Sequence, residues 1–330
     1  MNKYQQKYNK YKELIDNRIS SFIKKDEPVS LYKPLKYILE AGGKRIRPVL
    51  LLFACEAAGG KPENAVNAAL AVEVLHNFTL IHDDIMDNAG SRRGRDTIHK
   101  KWDSNIAILA GDNMVGLAYK ALCETENVNI LAIVKEFTNG IIEVCEGQSY
   151  DKEFESRNDV TLEEYLLMID KKTSKLLETC AAIGALIANN STEKYDALKL
   201  FARNLGLAFQ IQDDLLDILG DEKKFGKTKG GDLIEGKKTY LLLKALELVD
   251  KEPDKSLLMK IVNDNGIKIN IDNTIAKIKR IYLKYGVVES AGYEVERYTK
   301  EAENYLSVFK DDDTKAMLNW FSRMLLGRSY

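Results

Sequence analysis

An all-α fold follows from three features of this 330-residue chain. It holds only five prolines, well under the usual share of ~5%, and a chain that seldom breaks its own backbone favours helix. Apolar residues recur at helical spacing, as at Val74, Phe78, Ile81 and Ile85, which stand at i, i+4, i+7 and i+11. Strand-like alternation bounded by turn pairs is absent from the sequence.

Taken in order, residues 31–41 (LYKPLKYILEA) form a helix closed by Gly42 and Gly43, a C-cap signal. The next helix opens with Lys44 and Arg47 on its first turn. Pro62 suits the first turn of a helix over 62–87. The same period returns over 104–125, 129–150 and 161–189, the last opened by Thr161 and Glu164 in capping-box spacing. A further helix covers 195–219, and several more run from 237 to the end. The polar stretches 88–96, 151–160 and 220–236 read as loops. None has the length or bias of a linker, so 1–330 reads as one domain of roughly ten or more helices.

Composition narrows the function classes. Forty-nine Lys and Arg against 50 Asp and Glu leave a net charge of −1, which gives no general field for nucleic acid or an anionic bilayer. Apolar residues at 45% and charged residues at 30% make a globular mixture. The polar start has no signal-peptide core, and no run of about 18 uninterrupted apolar residues exists. Cys55, Cys123, Cys145 and Cys180 are widely spaced, as in a protein with reduced thiols. A cytoplasmic protein without a transmembrane segment is expected.

The chemistry is written twice. LIHDDIMD (80–87) and FQIQDDLLD (209–217) each hold aspartates at i, i+1 and i+4: Asp83, Asp84, Asp87, then Asp213, Asp214, Asp217. On a helix i and i+4 share a face and i+1 sits about 100° around it. Flanking Ile81, Ile85, Ile211 and Leu215 would sink each cluster into apolar surroundings, where carboxylates repel one another unless cations neutralise them. Oxygen ligands of this kind suit Mg²⁺, which leaves positions for phosphate oxygens and water. A di-iron bundle would want two Glu-x-x-His pairs. The chain offers one, Glu73 with His76, and only three histidines.

Basic residues follow the acids. GGKRIRP (42–48) brings Lys44 and Arg47 to a helix start, SRRGRDT brings Arg92 and Arg93, and FGKTKGGDLIEGKKT brings Lys227 and Lys237. Cations and Mg²⁺ together suit a diphosphate, whose charge needs balancing from several sides.

In this order GGKRIRP, DDIMD with RRG, KKT at 171–173, FQIQDDLLD and GK-x-x-GGD-x-x-EGK-x-T, spanning 42–239, resemble the blocks of trans-isoprenyl diphosphate synthases, which include farnesyl and geranylgeranyl diphosphate synthases. The resemblance implies an all-α isoprenoid-synthase bundle around a deep central cavity, and a homodimer. It implies that Asp83, Asp84, Asp87 and Asp213, with Asp217, hold Mg²⁺ bridged to an allylic diphosphate, and it counts Asp214 in the catalytic cluster. Arg92, Lys172, Lys227 and Lys237 would hold that diphosphate, and Lys44, Arg47, His76 and Arg93 would bind isopentenyl diphosphate. Thr173 and Gln210 would lie beside the developing cation, and Arg328 of the tail would assist the isopentenyl diphosphate.

Two departures stand out. His76 stands where the family often has Gln, and Tyr240-Leu241-Leu242 replaces a usual Leu-Pro. The implied reaction is head-to-tail condensation of isopentenyl diphosphate with dimethylallyl, geranyl or farnesyl diphosphate. A class I terpene cyclase typically carries an Asn/Ser/Glu metal motif at the second site and lacks GGKRIRP; a noncatalytic subunit would have lost aspartates or basic residues.

Product length turns on the helix before Asp83. Thr79, Leu75 and Val72 lie one, two and three turns earlier, each turn rising about 5.4 Å, close to one isoprene unit. Phe78 is about 100° from Thr79 on an ideal wheel, a packing position by geometry. The resemblance makes an aromatic there a floor, favouring a C20 product with C15 as the second reading.

Overall fold

The computed structural model describes residues 2–189, 191–220 and 230–327, and is helical through most of them. Lys227 and Arg328 lie outside the described residues. The chain divides into two compact units, residues 1–137 with 179–196, and residues 138–178 with 197–330.

In the first unit α1 (Lys3–Ser20), α2 (Val29–Leu39), α3 (Ile46–Ala57), α4 (Val66–Met86), the single turn α5 (Ile98–Lys101) and α6 (Ser104–Cys123) follow in order. Residues 49–55 of α3 and 68–75 of α4 are buried on every side, as expected of helices that are apolar all round. Against α4 lies α6, whose small residues Ala107, Ala110 and Gly111 are buried. By length and composition alone α6 could cross a membrane. The sequence holds no uninterrupted apolar run of spanning length, yet α6 is long and apolar enough on average.

Two expectations in this unit change. The helix after the diglycine begins at Ile46, with Arg45 as its N-cap in a left-handed conformation at φ 54°. Lys44 therefore precedes the helix instead of lying on its first turn. Residues 91–96, expected as loop, pair as β1 (Ser91–Arg92) and β2 (Arg95–Asp96), with Arg92 opposite Arg95. Between them Arg93 (φ 53°) and Gly94 (φ 73°) make the two-residue left-handed turn that matches strand twist.

The second unit draws on α7 (Ile130–Ser156), α8 (Leu162–Ile169), α9 (Lys175–Ile187) and α10 (Thr192–Leu219), of which α7, α9 and α10 also carry residues of the first. It continues with α11 (Gly231–Glu235), α12 (Tyr240–Leu248), α13 (Asp254–Asn263), α14 (Ile271–Lys284), α15 (Val287–Tyr305) and α16 (Asp312–Leu326). Tyr165, Ile211, Leu215, Leu242 and Tyr282 belong to its core. The capping box of Thr161 and Glu164 forms as expected. The helix expected over 161–189 is interrupted by one π-helical turn, Asp170–Ser174. Helix α7 runs to Ser156, into the stretch expected to be loop.

Candidate functional site

Asp83 and Asp84 lie in the last turn of α4 and Asp87 is its C-cap, with no basic residue in that turn. A helix C-terminus is the negative end of the backbone dipole, so three carboxylates there are disfavoured until cations arrive. Asp83 and Asp87 are half-buried and share one face; Asp84 is buried. Its Oδ1 accepts a 2.6 Å bond from Arg92 Nε. Burial pushes the Asp84 carboxyl above the usual range, against the pull of Arg92. Asp84, expected among the metal ligands, is turned inward and held by Arg92.

The diglycine segment is fixed by a buried ion cluster. Arg45 Nε donates to Asp16 at 2.8 Å and Arg45 NH1 to Glu73 at 2.6 Å. The Tyr8 hydroxyl donates to the Lys44 carbonyl. With Glu73 engaged by Arg45, the Glu73–His76 pair does not form a metal site.

Beyond this anchor, Arg47 NH1 lies 3.1 Å from His76 Nε2. Arginine only donates, so Nε2 accepts and the ring proton sits on Nδ1. Burial first, then the charges of Arg47, Arg93, Arg92 and Arg45, holds His76 well below its usual range, so the ring is neutral. Arg47 Nε and His76 Nδ1 are buried with no hydrogen-bond partner. Two buried donors without acceptors, close enough to Asp83 for its charge to act on Arg47, make a receptor for an anion. Arg93 donates to the Gly42 carbonyl, and a methyl on Gly43 would lie 3.2 Å from the Arg93 guanidinium. Lys44 is exposed.

In the second unit the pattern recurs near the C-terminal end of α10. Asp213 and Asp217 are half-buried while Asp214 is buried. Asp214 Oδ2 accepts from the Tyr165 hydroxyl at 2.6 Å and the Tyr240 backbone at 2.9 Å, and Oδ1 from Gln210 at 3.3 Å. Burial, then Asp232, pushes Asp214 up to about 8 against these three donors. The Thr173 hydroxyl donates to Gln210 Oε1 at 3.0 Å, linking Thr173, Gln210 and Asp214 in one chain. Lys172 pairs with Asp151. Lys237 lies 2.8 Å from Glu235, and its neighbour Lys238 is buried.

The π turn that carries Lys172 and Thr173 is packed against two glycines. A methyl on Gly147 would lie 2.2 Å from the Lys172 backbone nitrogen, and one on Gly206 would lie 2.6 Å from Ser174 Cα. Single π turns recur at functional sites because they re-aim side chains out of helical register. Arg45, Gly147 and Gly206 are the residues that sequence reasoning missed. A glycine inside a helical pattern was the available signal.

On α4, Leu75 is buried and Phe78 and Thr79 are half-buried. Thr79 Oγ1 donates to the His76 carbonyl at 2.8 Å. The Phe78 ring meets His82 edge to face, with centroids 4.7 Å apart.

Among the described residues no three His, Cys, Asp or Glu side chains converge as a closed metal site. Each triplet instead offers two half-buried carboxylates. That donor set fits Mg²⁺, which is held through one or two carboxylates and completed by phosphate oxygens and water.

Known proteins are similar to this chain in sequence and fold. A family model described as polyprenyl synthetase matches residues 28–278. The short chain isoprenyl diphosphate synthase of Methanocaldococcus jannaschii is 44% identical over 266 residues, 80% of each chain. The geranylgeranyl diphosphate synthase of Methanosarcina mazei is 37% identical over 318 residues, covering 96% of this chain and 95% of that one. The crystal structure of geranylgeranyl pyrophosphate synthetase from Pyrococcus horikoshii has a TM-score of 0.92 at 36% identity, covering 99% of this chain and 100% of that one. One inward-anchored aspartate in each of two triplets and a family-model match over residues 28–278 lead to one assignment: the chain belongs to the polyprenyl synthetase family.

Proposed function

We propose that the protein condenses isopentenyl diphosphate head to tail with an allylic diphosphate, giving geranylgeranyl diphosphate as its main product. The carrying observation is the pair of unpartnered buried donors, Arg47 Nε and His76 Nδ1, beside the first aspartate triplet. Relatives named geranylgeranyl diphosphate synthase support the product.

In this reading Asp83 and Asp87, and likewise Asp213 and Asp217, would hold Mg²⁺, which would supply charge compensation for a departing allylic diphosphate. Lys172, Lys237 and Arg92 bind the same diphosphate, with Lys227. Asp84 and Asp214 act as positioning residues for Arg92 and Gln210. Arg47, neutral His76, Arg93 and Lys44 hold isopentenyl diphosphate so that its double bond faces the allylic carbon. As the allylic C–O bond breaks, the oxygen dipoles of Thr173 and Gln210 face the cation. The double bond then forms the new C–C bond, and the released diphosphate takes the proton that restores the alkene.

A homodimer belongs to this reading and would cover apolar side chains such as Leu109 and Leu131, exposed at 56% and 66%. Purified protein incubated with labelled isopentenyl diphosphate, farnesyl diphosphate and Mg²⁺ should yield geranylgeranyl diphosphate. Recovery of a cyclic hydrocarbon, or of no elongated product, would overturn the reading.

A further inference from the structure

His82 stands immediately before Asp83, near the C-terminal end of α4. His82 Nε2 is buried without a hydrogen-bond partner, and Asp112 Oδ1 stands 3.9 Å from it, too far for a hydrogen bond. What holds this ring is shape. On one side lies Gly111 of α6, where an added methyl would fall 2.2 Å from Nε2 and 2.5 Å from Cδ2. On the other lies Phe78, edge to face at 63°. Phe78 and His82 stand at i and i+4, stacked on one face of α4.

Glycine inside a helix is disfavoured relative to alanine, so its presence at 111 needs a local reason. The reason here is a socket: only a residue without Cβ lets the imidazole tip rest against the α6 backbone. A half-buried phenylalanine can exchange between rotamers. The His82 ring, itself seated on α6, packs against Phe78 and limits where its ring can go.

We propose that His82, held in the Gly111 socket, is the positioning residue that keeps Phe78 fixed as the floor under the growing prenyl chain. Product length is then set by three residues on two helices, two of which, His82 and Gly111, act only through the third. This rests on the reading of Phe78 as a floor, and the test keeps the two apart.

Products of the wild type, Phe78→Ala, His82→Ala, His82→Phe, Gly111→Ala and the doubles Phe78→Ala/His82→Ala and Gly111→Ala/His82→Ala are resolved by reversed-phase chromatography, with melting temperatures recorded alongside. Phe78→Ala should lengthen the main product by one isoprene unit; no lengthening there sinks the floor itself. Given that lengthening, His82→Ala should shift product the same way, His82→Phe should retain the wild-type length, and the Phe78→Ala/His82→Ala double should match Phe78→Ala. Gly111→Ala should also release longer product. Where Gly111→Ala fails to fold, Gly111→Ala/His82→Ala removes the clash and should behave as His82→Ala. A wild-type distribution from His82→Ala, or an additive shift in the Phe78 double, overturns the proposal while leaving the floor intact.

Discussion

A methyl group on Gly147 would lie 2.2 Å from the backbone nitrogen of Lys172. The neighbouring atoms in the way are also backbone, Lys171 C and Lys172 Cα at 2.7 Å, so no side-chain rotation can relieve the contact. Two effects of Gly147→Ala oppose each other. Helix propensity favours alanine by ~1 kcal/mol, whereas overpacking costs about 1–3 kcal/mol or more. With backbone on backbone the second wins. The variant should melt lower than wild type and lose turnover, because the π turn aims Lys172 and Thr173. Calorimetry and initial rates check both; an unchanged rate would detach the π turn from function.

The outward aspartates should matter most to turnover. Asp83→Ala and Asp213→Ala should each lower kcat by about 10² or more, the scale of losing one preorganised charge-stabilising element. Removal of Mg²⁺ with a chelator should abolish activity, and Mg²⁺ should restore it. Near-normal turnover of either variant would sink the metal assignment.

Arg93→Ala should act on the other substrate. It is assigned to isopentenyl diphosphate and holds the Gly42 carbonyl, so its loss should raise that KM more than it lowers kcat. A KM effect confined to the allylic substrate would reverse the assignment.

His76 should leave a mark on stability at mildly acidic pH. Its folded pKa lies below the usual 6.5, so between the two values the unfolded chain binds more protons than the folded one. Stability from this group is complete above about 6.5 and is lost as pH falls below it, at up to about 1.4 kcal/mol per pH unit. His76→Gln keeps a hydrogen-bonding side chain without titrating. Melting curves from pH 7 to 5 should fall more steeply for wild type than for the variant; parallel curves would place the proton elsewhere.

Thr79→Phe should shorten the product, since it puts bulk one turn before Asp83 where the side chain now only caps the His76 carbonyl. An unchanged distribution would mean that the chain does not run along this face of α4.

Much of this arrangement was legible because it is local. Periodicity located α4 and α10, the capping box located the start of α8, and i, i+1, i+4 spacing foresaw a carboxylate pair with a third turned aside. What spacing could not tell was that the i+1 aspartate is buried and held there. That depends on Arg92 for Asp84, and on Tyr165 and Tyr240 for Asp214, partners supplied by other segments. The π turn was invisible for the same reason: Lys172 leaves helical register where Gly147 and Gly206 press against the backbone. Arg45 looked like one more basic residue of a motif, and only the fold brings Asp16 and Glu73 to it.

The hairpin at 91–96 carries a lesson about engineering this protein for robustness. At residue 93 the backbone is left-handed, φ 53°, a shape in which glycine is at ease and any side chain costs on the order of 1 kcal/mol. Arg93→Gly should therefore melt no lower than Arg93→Ala, and a screen for heat resistance alone would favour it. The same screen would discard the guanidinium that reaches the diglycine. A sturdier hairpin and a working one call for different residues at this position, so selection for thermostability here should carry an activity filter.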